Sequence, residues 1–333
     1  MTHTQSTKPT GNWLERLVAR VDMFQQKRHA LSFPYSVIKK YGDDDAGHEA
    51  ALITYYGFLS LFPLLLVATS VVDRLTQNNP ELRARLLGDI NSHLSVFGSQ
   101  LQSQIHASNR TGVALALGLL VALYGTRGVA HAVRGALDHA WATPKSKRSG
   151  FPKNALKSFA LLLGAGLGLV LTTTLAGYAT SALGGHFWLT RIVPLAINAV
   201  LLYVILMYVF TIGPSRRRPR SDLRLGAIVA SVGLLVLQTL GTYLVAHQLQ
   251  NLRGLYGQFA LVLSLMFWLY LQAQVLVYAI EINVVHAYKL WPRSITNKPL
   301  TRADKEAYRL YAEKEAYRPK NEETIAVTFD SPD

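Results

Sequence analysis

The chain has 333 residues, half of them hydrophobic, a net charge of +14 and no cysteine. Without thiols, disulfides, thiolate metal sites and cysteine catalysis are excluded. A charge of this size raises the question of nucleic acid, which the placement of the basic residues answers below.

Residues 1–49 are polar. Within them Trp13, Leu14, Leu17, Val18, Val21 and Phe24 recur at helical spacing, with Arg16, Arg20, Lys27 and Arg28 mostly between them. This pattern predicts a basic amphipathic helix lying on the inner leaflet. Asp43, Asp44 and Asp45 then precede the first apolar run, where acidic side chains complement a helix dipole. With His48 and Glu49 they imitate a metal cluster, but three adjacent aspartates cannot converge on one ion, so no metal is assigned.

Six charge-free apolar runs follow, at 50–72, 112–126, 158–183, 192–212, 225–246 and 255–280. Roughly 20 residues at about 1.5 Å each cross a bilayer core. Five of the runs meet that length outright. Because the first begins only at residue 50, it reads as an uncleaved signal anchor. The second is short, yet its helical pattern continues through Arg127, His131, Arg134, Asp138 and Trp141. Between the first two runs, Leu82, Leu86, Ile90, Leu94, Phe97, Leu101 and Ile105 form a helical stripe. It predicts one or two amphipathic helices in the first outer loop, either gating a cavity or packing on the bundle. In the third run Ala160, Gly164, Gly168, Thr172 and Ala176 make a small-residue ridge for close helix approach. Gln238 and Thr242 in the fifth either hydrogen-bond between helices or line a pore.

Of the 34 Lys and Arg residues, 28 lie in the two termini and in the loops after the second and fourth runs, against 6 in the alternate loops. Positive loops stay in the cytoplasm, so both termini are placed there. The basic loops carry no interleaved aromatics of the kind RNA binding uses. Membrane lipids, through anionic headgroups at the cytoplasmic face, are the expected partners, and nucleic acid is not. The expected fold is all-α: a polytopic membrane helical bundle with six transmembrane helices. Residues 1–49 form a cytoplasmic N-terminal segment, 50–285 the membrane domain and 286–333 a cytoplasmic charged tail. The stretch from Thr301 to Glu323 reads as a helical, solvated extension.

Three groups of polar residues inside the membrane domain are candidates for a substrate path. In the first run Tyr56, Ser60 and Pro63 surround a proline break, which either lines a cavity or is a plain kink. After the second run Arg127, Arg134 and Asp138 share one helical face; Arg127 either snorkels to headgroups or faces a polar interior. In the sixth run Tyr270, Gln274, Tyr278 and Glu281 form a polar stripe, with Asn283 just beyond. Arg127 or Arg134 and Glu281 lie at similar depth, which suggests an ion pair that either fixes helix register or serves transport. No catalytic residue and no cofactor is assigned, and the chain is not expected to be an enzyme.

Several of these residues together resemble the YihY/BrkB family of bacterial inner-membrane proteins. Tyr56, Ser60, Leu61 and Pro63 match its Tyr-x-x-x-Ser-Leu-x-Pro hallmark. The segment from Arg127 to Ala140-Trp141 is similar to the family's charged stretch. Ala279-Ile280-Glu281-Ile282-Asn283 resembles its Gly-Ala-Glu-Leu-Asn ending, with Tyr278 and Ala279 where Gly-Ala is usual. The resemblance implies a transporter-like architecture, and family members have been linked to serum resistance or lipid export. The family's old label, ribonuclease BN, finds no support in these residues. The expected function is transport or flipping of a solute or lipid through a polar cavity. The alternative is a non-transporting scaffold or envelope-integrity protein.

Overall fold

The computed structural model describes residues 13–75, 112–148, 156–158, 160, 161, 164, 168, 187–256, 259–296, 299–318 and 325–329. Every regular element among them is helical. In chain order these are α1 (Trp13–Lys27), α2 (His29–Asp43), α3 (Ala46–Leu75), α4 (Gly112–Ala140), α5 (Phe187–Ile212), α6 (Arg220–Tyr256), α7 (Phe259–Tyr288) and α8 (Arg302–Lys314), with a short 3-10 turn at Lys145–Lys147. The amphipathic helices expected in the first outer loop, beyond Leu75, lie outside the described residues. So does most of the third apolar run.

The middle of the bundle is α7, which touches α2, α3, α4 and α6, while α3 runs along α4 and α5 along α6. Its buried side follows helical spacing: Ala273, Val277, Ile280 and Val284 face Leu137, Phe210, Leu223 and Ala227 in one apolar core. Small residues bring α6 against α7. A Cβ on Gly226 would collide with the Ala279 carbonyl and the Asn283 amide, so only glycine permits this approach.

Outward faces are apolar as well. Ile192, Leu195, Val200 and Val204 on α5, and Ile228, Val232, Val236 and Leu240 on α6, are all exposed. A surface of this kind is unfavourable in water and neutral in lipid. Among the described residues, three helices contain stretches long and apolar enough to cross a membrane: Ile192–Ile212, Arg220–Gly241 and Val262–Tyr288. The first two expected runs fall in α3 and α4, of 30 and 29 residues. As the spacing indicated, α4 continues unbroken past Arg127 to Ala140.

At the amino end, α1 shows the reverse of a soluble helix. Its stripe of Trp13, Leu17, Val18, Val21 and Phe24 is exposed, while Asp22 and Gln25 are buried. The polar face docks on the protein and the apolar face points away. The carboxyl tail corrects one expectation. Residues 301–314 are not a solvated extension: Ala303, Asp304 and Ala307 of α8 are buried, and Ala307 joins Val37, Val285 and Leu290 in a second apolar cluster. A capping box starts α8, with Thr301 Oγ1 accepting from the Asp304 amide and the Asp304 carboxylate accepting from the Thr301 amide.

Candidate functional site

Two adjacent lysines organise the polar interior, each in its own direction. On α2, Lys40 turns into the bundle, where its ammonium pairs with Glu281 at 2.9 Å, pairs with Asp44 and donates to the Ala140 carbonyl at 3.0 Å. The side chains of Lys40, Asp44 and Glu281 are only 1–2% exposed. Burial alone would push the Lys40 pKa down; the carboxylates of Glu281 and Asp44 outweigh it and hold the ammonium above its ordinary value. Around this core, Lys314 of α8 lies 3.3 Å from Asp44 and 2.8 Å from His139 Nε2. Burial, then the neighbouring Lys314 charge, pushes the His139 pKa down.

Lys39 turns the other way. It donates to the Ser294 carbonyl at 2.5 Å and pairs with Asp304 at 3.1 Å. Asp304 also accepts from Arg293 Nε at 2.9 Å, from the Ser294 amide at 2.9 Å and from Thr301 Oγ1 at 2.8 Å. Asp22 of α1 completes this seam by accepting from Ser294 Oγ and the Ile295 amide. For Asp22, burial opposes ionisation, but the donors Gln26, Ile295, Gln25 and Ser294 prevail and hold its pKa down at about 2. Asp304 is likewise held below its ordinary value: burial raises it, and donors led by the Ser294 amide more than compensate.

The sequence-selected residues divide between these places. Glu281 is central, but its cation is Lys40 and neither Arg127 nor Arg134. Arg127 is exposed on α4. Arg134 is buried and donates to the Gly213 carbonyl at 3.0 Å and to Ser158 Oγ at 3.4 Å. One turn on, Asp138 accepts from the Ser215 amide at 2.7 Å and Ser215 Oγ at 2.6 Å. Arg134 and Asp138 thus grip the loop between α5 and α6. Asn283 accepts from the Gly226 amide at 2.6 Å and locks α6 to α7. Gln274 is half-buried on α7. Ser60 is buried with its hydroxyl donating to the Gly57 carbonyl, and Cβ atoms on Gly125 and Gly128 would strike Ser60 and the Tyr56 ring. Tyr56 and Ser60 of the hallmark therefore form the close α3–α4 contact, and α3 continues through Pro63 to Leu75. In α6, Gln238 accepts from Asn198 of α5 at 3.1 Å, an interhelical bond.

The aspartate triplet separates as expected. Asp44 faces Lys40, and Asp43 pairs with Arg293 at 2.8 Å. Among the described residues no group of His, Asp and Glu is arranged to hold a metal. Sequence reasoning missed Lys40, Arg293 and Asp304. The signals available were the i, i+4 pair Lys40–Asp44 and the Thr301-x-x-Asp304 capping pattern.

All-helical, apolar on its outer faces and charged within, the molecule belongs to the class of integral membrane proteins. The family model described as Virulence factor BrkB matches residues 37–303, and the chain belongs to that family of inner-membrane proteins. It is 25% identical to the inner membrane protein YhjD of Escherichia coli (strain K12), over 80% of this chain and 85% of that protein. It is 22% identical to a protein of Bacillus subtilis (strain 168) named as the ribonuclease-like protein YfkH, over 79% of this chain and 98% of that one. No solved structure matches the chain.

Proposed function

We propose that this is a six-span inner-membrane protein with both termini in the cytoplasm, and that it moves or flips a solute or lipid along the polar seam of α3, α4 and α7. The observation that carries this reading is the Lys40–Asp44–Glu281 cluster. Charges withdrawn from solvent inside a membrane bundle are expensive, and they mark pathways and relays. The cation comes from α2, outside the apolar spans, while Glu281 closes the polar stripe of Tyr270, Gln274 and Tyr278 on α7. Separating α2 from α7 would open that stripe to the cytoplasm.

The test is reconstitution into liposomes with headgroup-labelled lipids, followed by quenching of the outer leaflet. Wild type is expected to equilibrate the label between leaflets, and Lys40→Met, which frees α2 from α7, to speed it. A second reading starts from the same buried cluster: a scaffold whose charges only fix helix register. Absence of lipid or solute movement by the wild-type protein would leave that reading standing. Reporter fusions in each loop test the six spans and the position of the termini.

A further inference from the structure

Where α4 and α7 end, the chain turns in the same way twice. Thr143 donates back to the Asp138 carbonyl and Ala142 to His139, while Leu290 donates to Val285 and Lys289 to His286. Each turn places one residue in the left-handed region, Ala142 at φ 47° and Lys289 at φ 53°. The residues just before them, Trp141 and Tyr288, line one cavity of about 190 Å³. Thr143, Lys147, Arg216 and Arg218 line it too, with Glu313 as the acidic residue of the wall. The grip of Arg134 and Asp138 on residues 213–215 is what brings Arg216 and Arg218 there.

Some of the residues that line this cavity carry polar atoms that are incompletely satisfied. Trp141 and Thr143 are each 1% exposed, yet Trp141 Nε1, Thr143 Oγ1 and Arg218 Nε are buried without a hydrogen-bond partner. Leaving such groups unmade is costly. Arg218 is otherwise held in place. It donates to Tyr288 Oη at 2.9 Å and to the Trp141 carbonyl at 3.2 Å, with its guanidinium 4.5 Å from the Trp141 ring centre. The indole and guanidinium nitrogens can only donate, and a hydroxyl can donate as well. Each of the three residues lines the cavity with a donor left over, and leftover donors call for an acceptor. Three cations against one carboxylate make it an anionic acceptor. At the end of α4 the carbonyls oppose an anion less, because Lys40 and Arg218 already donate to those of Ala140 and Trp141.

We propose that this cavity is a phosphate-group site. Its volume lies below the roughly 300–1,000 Å³ of drug-sized pockets, which suits a headgroup or a small phosphate ester. The site uses none of the residues of the Lys40 cluster, and equilibrium binding reads it independently of any transport.

The full-length protein is titrated in detergent with inorganic phosphate, and in phosphatidylcholine nanodiscs with and without phosphatidic acid. Arg216→Gln removes an exposed cation without touching the packing, and Arg218→Gln removes the oriented one. Each is expected to weaken binding about tenfold, the loss of one charged donor. Arg217→Gln, which does not line the cavity, should leave binding unchanged. Saturable phosphate binding with this pattern assigns the site to soluble phosphates. The pattern in phosphatidic-acid nanodiscs alone assigns it to lipid headgroups. Binding by neither, or binding indifferent to Arg216→Gln and Arg218→Gln, overturns the proposal and leaves the orphaned atoms to water.

Discussion

Two buried polar regions lie close together in this molecule and differ in one respect. Around Lys40 the charges answer one another: an ammonium, two carboxylates and a helix-end carbonyl. Around Arg218 there are donors without acceptors. A closed set of charges holds helices in register and resists opening. An unanswered set of donors awaits something from outside. Burial and charge alone therefore do not distinguish a lock from a binding site; the count of partners does.

The sharpest way to break the comparison is to open the lock. Lys40→Met leaves Asp44 and Glu281 buried face to face, and should destabilise by about 3–5 kcal/mol in denaturant unfolding in detergent. Adding Glu281→Gln to that background should cost less than Glu281→Gln alone. Strictly additive losses would mean that the two residues do not act as a pair.

Asp304→Ala comes next. It strips the acceptor from Arg293, Lys39, Ser294 and Thr301, and should weaken docking of the tail by roughly 2–4 kcal/mol, read as new proteolytic cleavage between residues 293 and 314. Acid should release the same seam. Asp22 and Asp304 have depressed pKa values, so their contribution is complete above the unfolded value of about 3.9. It is lost as pH falls through the folded value, about 2 for Asp22. Hydrogen exchange in α1 and α8 should therefore accelerate between about pH 4 and pH 2 and hold steady above that window.

Gly226→Ala drives a methyl group into the Ala279 carbonyl and should cost about 1–3 kcal/mol in thermal unfolding. Least of all, Glu315→Gln breaks the solvent-exposed Lys145 pair and should leave stability unchanged within error. A large loss there would mean that surface pairs contribute to the lock after all.

The long helices were legible because charge-free length and helical spacing are local properties. The extension of α4 past Arg127 was visible in the same way, since residues 127, 134, 138 and 141 repeat on one face. Glu281 stood out as the charged end of a polar stripe. Its partner did not, because spacing shows which residues share a face and not which helix lies opposite. Arg134 and Lys40 are both cations near one end of the bundle, and only packing gives Arg134 to Gly213 and Lys40 to Glu281. The stripe on α1 was equally plain, yet pattern alone says nothing of which side meets protein. There the polar side does, through Asp22. The tail was misread because its mixed charge resembles a solvated surface. Arg293, Lys39 and Asp304 are buried together only because α2 and α8 meet over the end of α7.

That meeting has a consequence for how the protein is made. Asp22 and its partner Ser294 are 272 residues apart. At roughly 5–20 residues per second, a ribosome needs about fifteen to fifty seconds to travel between them. For all that time the first helices are synthesised without the residues that complete them: Asp22 waits for Ser294 and Ile295, and Lys39 for Ser294 and Asp304. A late segment closes an early one, so the seam forms only once synthesis has passed residue 304.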